Sequence, residues 1–224
     1  MKKILLILLL TIPFIGFGQN PILEEKNGFK DIKLGSDVNN YSFIKPVKGP
    51  GVSVEVKKSM MYHGYPHVIH SDYIRVKNIK PWVVDENDIK HNTIGRGIKI
   101  NKTVIFTYNS KIFKIVIIVD NPEGNNNLYK NFKSVFGEDT YIDNCPTYFD
   151  VKDPRKETCF VSWSSQNVML SLMSHGTTNR KFPFKTHWEI TYTDWNITTI
   201  LDEKEKSLEK REDLLNKIKL SDGF

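Results

Sequence analysis

The chain is 224 residues long, 39% hydrophobic and 26% charged, with a formal net charge of +6 and two cysteines. A chain of that length buries a core without disulfide scaffolding, as one large domain or two small ones. Its one long apolar run, Ile4 to Phe17, falls short of the roughly 20 residues that a membrane-spanning helix needs, which argues against a transmembrane segment.

That run follows Met1-Lys2-Lys3, is interrupted by Pro13 and ends at the small residue Gly18. Basic start, apolar centre and small-residue exit are the features of an export signal, so residues 1–18 are read as a signal peptide cleaved before Gln19. The expected location is the periplasm or the medium. The first cysteine is Cys145, far from the apolar run, so a lipid anchor is not expected. Loss of the two signal lysines leaves a net charge of +4.

Residues 19–28 read as a polar lead-in, and Phe29, Ile32 and Leu34 as a short extended segment stopped by Gly35. Ser36 or Asp37 is placed to cap a brief helical turn running to Phe43. Lys45-Pro46 to Gly51 is a turn-rich break. Val52 to Val76 alternates as β-structure around a turn at Gly64-Tyr65-Pro66, and Trp82-Val83-Val84 forms a short strand. From Thr103 the pattern predicts a β-hairpin, with Val104 to Tyr108 and Ile112 to Val119 joined at Asn109-Ser110-Lys111. Nearly every residue of the second strand is apolar, which predicts an interior strand covered on more than one side. Leu128, Phe132, Val135 and Phe136 then follow helical spacing, predicting an amphipathic helix near 127–137 with Gly137 as its stop. A second hairpin pairs Cys159 to Trp163 with Val168 to Met173 and overlays the first at a shift of 55 residues, Val104 falling on Cys159 and Ile115 on Leu170. Such an overlay reads as repeated architecture, with duplication left open. Trp188 to Tyr192 alternates as a last strand closing the sheet. From Thr199 a charged helix runs to about Lys219, opened by the capping-box spacing of Thr199 and Asp202. Leu201, Leu208 and Leu215 recur at sevens, but Lys204 and Arg211 interrupt any coiled-coil seam. The fold expected is α+β: an antiparallel sheet of repeated hairpins packed by one amphipathic helix. Residues 19–199 would form a single domain and 200–224 a charged C-terminal helix.

Cys145 and Cys159 are the candidate disulfide in a chain bound for an oxidising compartment, closing a loop worth about 3 kcal/mol in the chain-entropy estimate. His63, His67 and His70 are the one cluster with metal-ligand chemistry. A hairpin turn at Gly64-Tyr65-Pro66 would bring His63 opposite His67 but point His70 to the other face, so surface histidines are the default. Lys45, Lys48, Lys57, Lys58, Arg75, Lys77 and Lys80 concentrate positive charge between residues 41 and 80 and suit an anionic glycan, lipid surface or acidic protein. An exported chain is not expected to meet nucleic acid. No G-x-S-x-G elbow is present, and Gly95-Arg96-Gly97 is too short to cradle a phosphate. The acids Asp85, Glu86 and Asp88, or Asp143 and Asp150, lack the spacing of a calcium loop. No catalytic residue and no cofactor is assigned.

The opening Gly28-Phe29, Ile32 and Leu34-Gly35, the strand Ile112 to Val119, the helix stop Phe136-Gly137, the Trp-bearing strand and the closing Ile190-Thr191-Tyr192-Thr193-Asp194 resemble small exported bacterial proteins of unknown function. Phe17-Gly18-Gln19 is similar to the signal ends of Bacteroidota. The resemblance covers about Phe29 to Trp195, departs from the simpler pattern at the basic insert from Val47 to Ile100, and implies fold and compartment without catalytic residues. The leading expectation is a non-enzymatic binding or assembly protein of the cell envelope. A metal-dependent hydrolase built on the histidine cluster and an exported immunity protein are the alternatives.

Overall fold

The computed structural model describes residues 20–47, 76–95, 98–120, 125–143, 159–176 and 186–221. Residues 1–18, read as a signal peptide, the His63, His67 and His70 cluster, the β-structure expected from Val52, Cys145, and Lys48, Lys57, Lys58 and Arg75 of the basic segment lie outside them.

Helix α1 (Pro21–Lys26) occupies the stretch read as a lead-in. Asn20 caps it, its side chain accepting from the Leu23 backbone N–H at 3.0 Å, Pro21 sits at the first helical turn, and Leu23 is fully buried. Strands β1 (Gly28–Phe29) and β2 (Ile32–Lys33) make a tight hairpin, followed by a 3-10 turn Val38–Asn40 capped by Asp37. Gly28 has φ +138°, and a Cβ there would lie 2.2 Å from the Ile32 carbonyl oxygen, so glycine is required.

The main sheet contains β3 (Ile44–Pro46), β4 (Ile79–Val84), β5 (Thr93–Ile94), β6 (Ile98–Tyr108), β7 (Lys111–Asp120), β8 (Tyr141–Asp143), β9 (Cys159–Ser164), β10 (Val168–Gly176) and β11 (Thr186–Asp194). Its order is β3-β4-β6-β7-β11-β10-β9-β8, with β5 paired to β6, and every pairing is antiparallel. The fold is thus mixed α and β with an antiparallel sheet and a C-terminal helix. β11 does not close an edge as the sequence suggested. It inserts between the β6–β7 and β9–β10 hairpins, because Trp188, Ile190 and Tyr192 need neighbours on both sides to complete the core.

Two faces of this sheet are buried. On one, Ile105, Ile115, Ile117, Val119, Val161, Trp163, Leu170, Leu172, Trp188 and Ile190 pack with α1, β1, β2 and helix α2 (Asn125–Phe136). Leu128, Phe132 and Phe136 of α2 are buried, and Gly137 stops the helix at φ +77° with its N–H on the Lys133 carbonyl at 2.9 Å. Val135, assigned to the buried stripe by spacing, is exposed, since the stripe is narrower than the pattern implied. Trp163 sits inside an aromatic cage of Tyr129, Phe132 and Phe136 and donates its indole N–H to the Gly137 carbonyl at 3.0 Å.

On the other face Val104, Phe106, Phe113, Val116 and Ile118 pack against Ile197, Leu201 and Leu208 of helix α3 (Trp195–Ser221). This helix starts at Trp195, directly after β11, four residues before the expected Thr199. Asp194 caps it, its carboxylate accepting from the Ile197 N–H at 3.0 Å, while the Thr198 and Thr199 hydroxyls bond back to carbonyls of the first turn.

The 55-residue overlay of the two hairpins does not hold by face. The β6–β7 turn is Asn109-Ser110, both at positive φ as a two-residue turn requires, and a bulge at Phe113 shifts the pairing from Phe106↔Lys114 to Thr107↔Ile112. Phe106 therefore faces α3, whereas Val161, its counterpart in the overlay, packs in the opposite core. Replacing Trp163 by Ala is expected to cost about 3–5 kcal/mol in equilibrium denaturation, against under about 1 kcal/mol for the half-exposed Trp195.

Candidate functional site

Among the described residues, three places outside the continuous apolar core carry chemistry or exposed apolar surface. The first joins the β1–β2 turn to the 85–92 loop. Asp31 accepts from Lys90 Nζ at 2.6 Å and bonds His91 Nε2, while His91 Nδ1 lies 2.9 Å from the Asp88 carboxylate. The imidazole stacks on Phe43 with ring centroids 3.9 Å apart and is only 2% exposed. Burial alone would raise the Asp31 carboxyl, but bonds from Lys90 and His91 outweigh it and hold it at about 2. A histidine walled in by two carboxylates and a phenyl ring has no open side for a substrate, so this cluster acts as a latch between loops. Lys30, whose ammonium bonds the Lys90 carbonyl, reinforces it. Sequence reading passed over His91 because its loop has no periodicity; the Asp88-to-His91 spacing of three was the available signal.

The second is Glu189. Strand register sets Tyr141, Ser162, Ser171, Thr191, Val116, Val104 and Val83 in one row across the sheet on the face that carries α3. The apolar packing of α3 falls on the β4–β6–β7 half of that face, and the β11–β10–β9 half carries the hydroxyls of Thr191, Thr193, Ser171 and Ser162, the larger Met169, Met173 and Phe160, and Glu189, which is in register with Met173 and Ile118. Glu189 is 3% exposed, its Oε1 accepts from the Thr191 hydroxyl at 3.0 Å, and its Oε2 has no hydrogen-bond partner. Desolvation pushes its carboxyl above the usual range, against the lesser pull of Thr191 and of the Lys114 charge. The sequence hid this residue. Glu189, Thr191 and Thr193 alternate with Trp188, Ile190 and Tyr192 as the solvated side of a half-buried strand would, yet both sides are buried.

The third is the outer part of α3. Its described apolar packing on the sheet runs to Leu208 of a helix about 40 Å long. Leu215, one heptad past Leu208, is 48% exposed and Leu214 is 58% exposed.

Of the predicted site residues, Lys45, Lys77 and Lys80 are described and exposed, but the structure does not gather them. Lys45 pairs with Val83 on the α3 face of the sheet, while Lys80 pairs with Thr107 on the opposite face. Cys159 opens β9, its side chain falling outside the description along with all of Cys145. Trp163 and Trp188 are core residues, Trp82 donates to the Thr107 hydroxyl at 3.0 Å, and only Trp195 is exposed, so the tryptophans of the described residues form no binding platform. Among the described residues no three His, Cys, Asp or Glu side chains are placed to hold a metal ion, and no helix is long and apolar enough to cross a membrane. No known family, curated protein or solved structure matches the chain.

Two pH effects follow. The depressed Asp31 contributes stability above about pH 3.8 that is lost as pH falls through about 2. Asp31→Asn should remove that acid limb while costing under about 1 kcal/mol at neutral pH, because the carboxylate is half exposed. The raised Glu189 acts in the opposite sense: stability is full below 4.5 and declines as pH rises through its folded value. Glu189→Gln should abolish that decline in denaturant midpoints measured from pH 4 to 9.

Proposed function

We propose that this protein is an exported binding or assembly factor of the cell envelope, holding a protein partner through the outer part of α3. The observation that carries the reading is the exposure of Leu214 and Leu215 on a helix whose first half is anchored by the fully buried Leu201. Leucines at the surface of a projecting helix gain little from water, and an amphipathic helix seated in a partner's groove is a recurring mode of recognition. The anchor supports it. The Asn167 backbone N–H bonds the Glu24 carboxylate at 3.1 Å, its carbonyl accepts from the Trp195 N–H at 2.8 Å and its side chain accepts from Asn196 at 2.9 Å, tying the start of α3 to α1 and to the β9–β10 turn. A helix fixed at its root presents its free end without the ordering cost of a disordered segment.

Export rests on the signal pattern of residues 1–18. Mass spectrometry of the protein from its own cells should find an N-terminus at Gln19 in the periplasmic or culture fraction; an intact residue 1 in the cytosol would remove the export reading. For the helix, a photoreactive residue at the exposed Ser207 of the full chain should give one dominant protein adduct in those cells, while the same group at the exposed Ile89 should not. Leu214→Asp combined with Leu215→Asp should abolish the adduct and leave thermal unfolding unchanged. Equal adducts from both positions would sink the docking role.

A further inference from the structure

Resting on that reading, we infer that the surface of α3 around Ile200 and Leu214 recognises an acidic amphipathic segment of a protein partner. The argument is the distribution of charge around the helix. At 3.6 residues per turn, Leu201 and Leu208 share the line that faces the sheet. Ile200, Ser207 and Leu214 fall on a second line, about a quarter to a third of a turn away, and all three are exposed. Ile200 is 47% exposed, so this apolar line starts over the anchored half of the helix and continues past the last sheet contact.

One flank of that line is basic and the other mixed: Arg211 and Lys204 lie on one side, and on the other Glu203 borders the line with Lys210 beyond it. Lys204 also lies 4.7 Å from the Tyr108 ring centroid and donates to its hydroxyl, which fixes one edge of the strip to β6. The acids Asp202, Glu205, Glu209, Glu212 and Asp213 occupy the remaining side of the helix. The charges that cancel along the sequence are therefore unevenly placed around the helix, with Lys206 at the border of the acidic side. An apolar line whose immediate flanks carry net positive charge fits a segment whose apolar side is bordered by Asp and Glu, and disfavours one bordered by Lys or Arg. The same strip laid against a second copy would oppose net positive charge to net positive charge. Two aliphatic side chains and one serine are too small an apolar strip for insertion into a bilayer surface, where buried apolar area sets the affinity.

The test uses the full chain with the photoreactive residue at Ser207, in its own cells, and identifies the crosslinked partner peptide by mass spectrometry. The expected peptide carries net negative charge with apolar residues at helical spacing. Lys210→Glu with Arg211→Glu should lower the adduct yield at least about tenfold, whereas Glu209→Lys on the acidic side should change it less than about twofold. Circular dichroism melting of each variant separates lost recognition from lost folding, and the Glu209→Lys result keeps the contrast readable if the double variant is destabilised. An adduct with a neutral or basic protein segment would leave the docking role of α3 standing and overturn this inference. A second copy of the chain or a lipid as the crosslinked species would overturn it too, and no adduct at all would remove both.

Discussion

Strand β7 sets the terms for everything around it. From Ile112 to Val119 every residue except Lys114 is buried and apolar, so the strand is desolvated on both faces and must be covered on both. Each such side chain contributes about 1.5–3 kcal/mol only when its face is closed off from water. One cover is α2 together with the N-terminal hairpin; the other is the first half of α3. The bulge at Phe113 belongs to the same constraint, because it lets that ring join Phe106 beneath α3 while Ile112 stays on the opposite side.

That geometry separates two kinds of surface on one element. The root of α3 is held by backbone capping at Asp194 and by the Asn167 node, so the orientation of the helix is decided near the centre of the sheet. Beyond Leu208 the described leucines, Leu214 and Leu215, are exposed. Under the proposed docking role, stability and recognition would draw on different turns of one helix, and changes in the outer turns would reach binding without disturbing the core.

The buried polar groups divide in a similar way. His91 bonds Asp31 through Nε2, while its buried Nδ1 lies 2.9 Å from the Asp88 carboxylate without hydrogen-bond geometry, so the two loops are joined chiefly through Asp31 with Lys90 and His91 Nε2. Glu189 is different: one oxygen is satisfied by Thr191 and the other is not, within a sheet whose opposite face is continuous hydrocarbon. A carboxyl held this way sacrifices stability as it ionises, which places the two acids on opposite sides of the pH scale.

Local sequence determined what depends on near neighbours. The hairpin at Asn109-Ser110, the α2 stripe with its Gly137 stop, the turn capped by Asp37 and the two-faced character of β7 were all legible, since turn chemistry and periodicity act over a few residues. The tertiary structure alone decided what depends on partners far along the chain. It placed β11 between the hairpins, because strand order is chosen by which apolar faces complete each other. It put Val161 and Phe106 on different faces, because a single bulge reverses the side-chain alternation that the overlay assumed. It parted Lys45 from Lys80, since neighbouring positions on adjacent strands share a face only when the register allows it. Burial of Glu189 and His91 was equally invisible, because a polar residue in an alternating strand or an irregular loop carries no mark of what lies above it. The charged helix shows both at once: its existence was written in composition and spacing, while the burial of Leu201 and the exposure of Leu214 were decided by how it lies on the sheet.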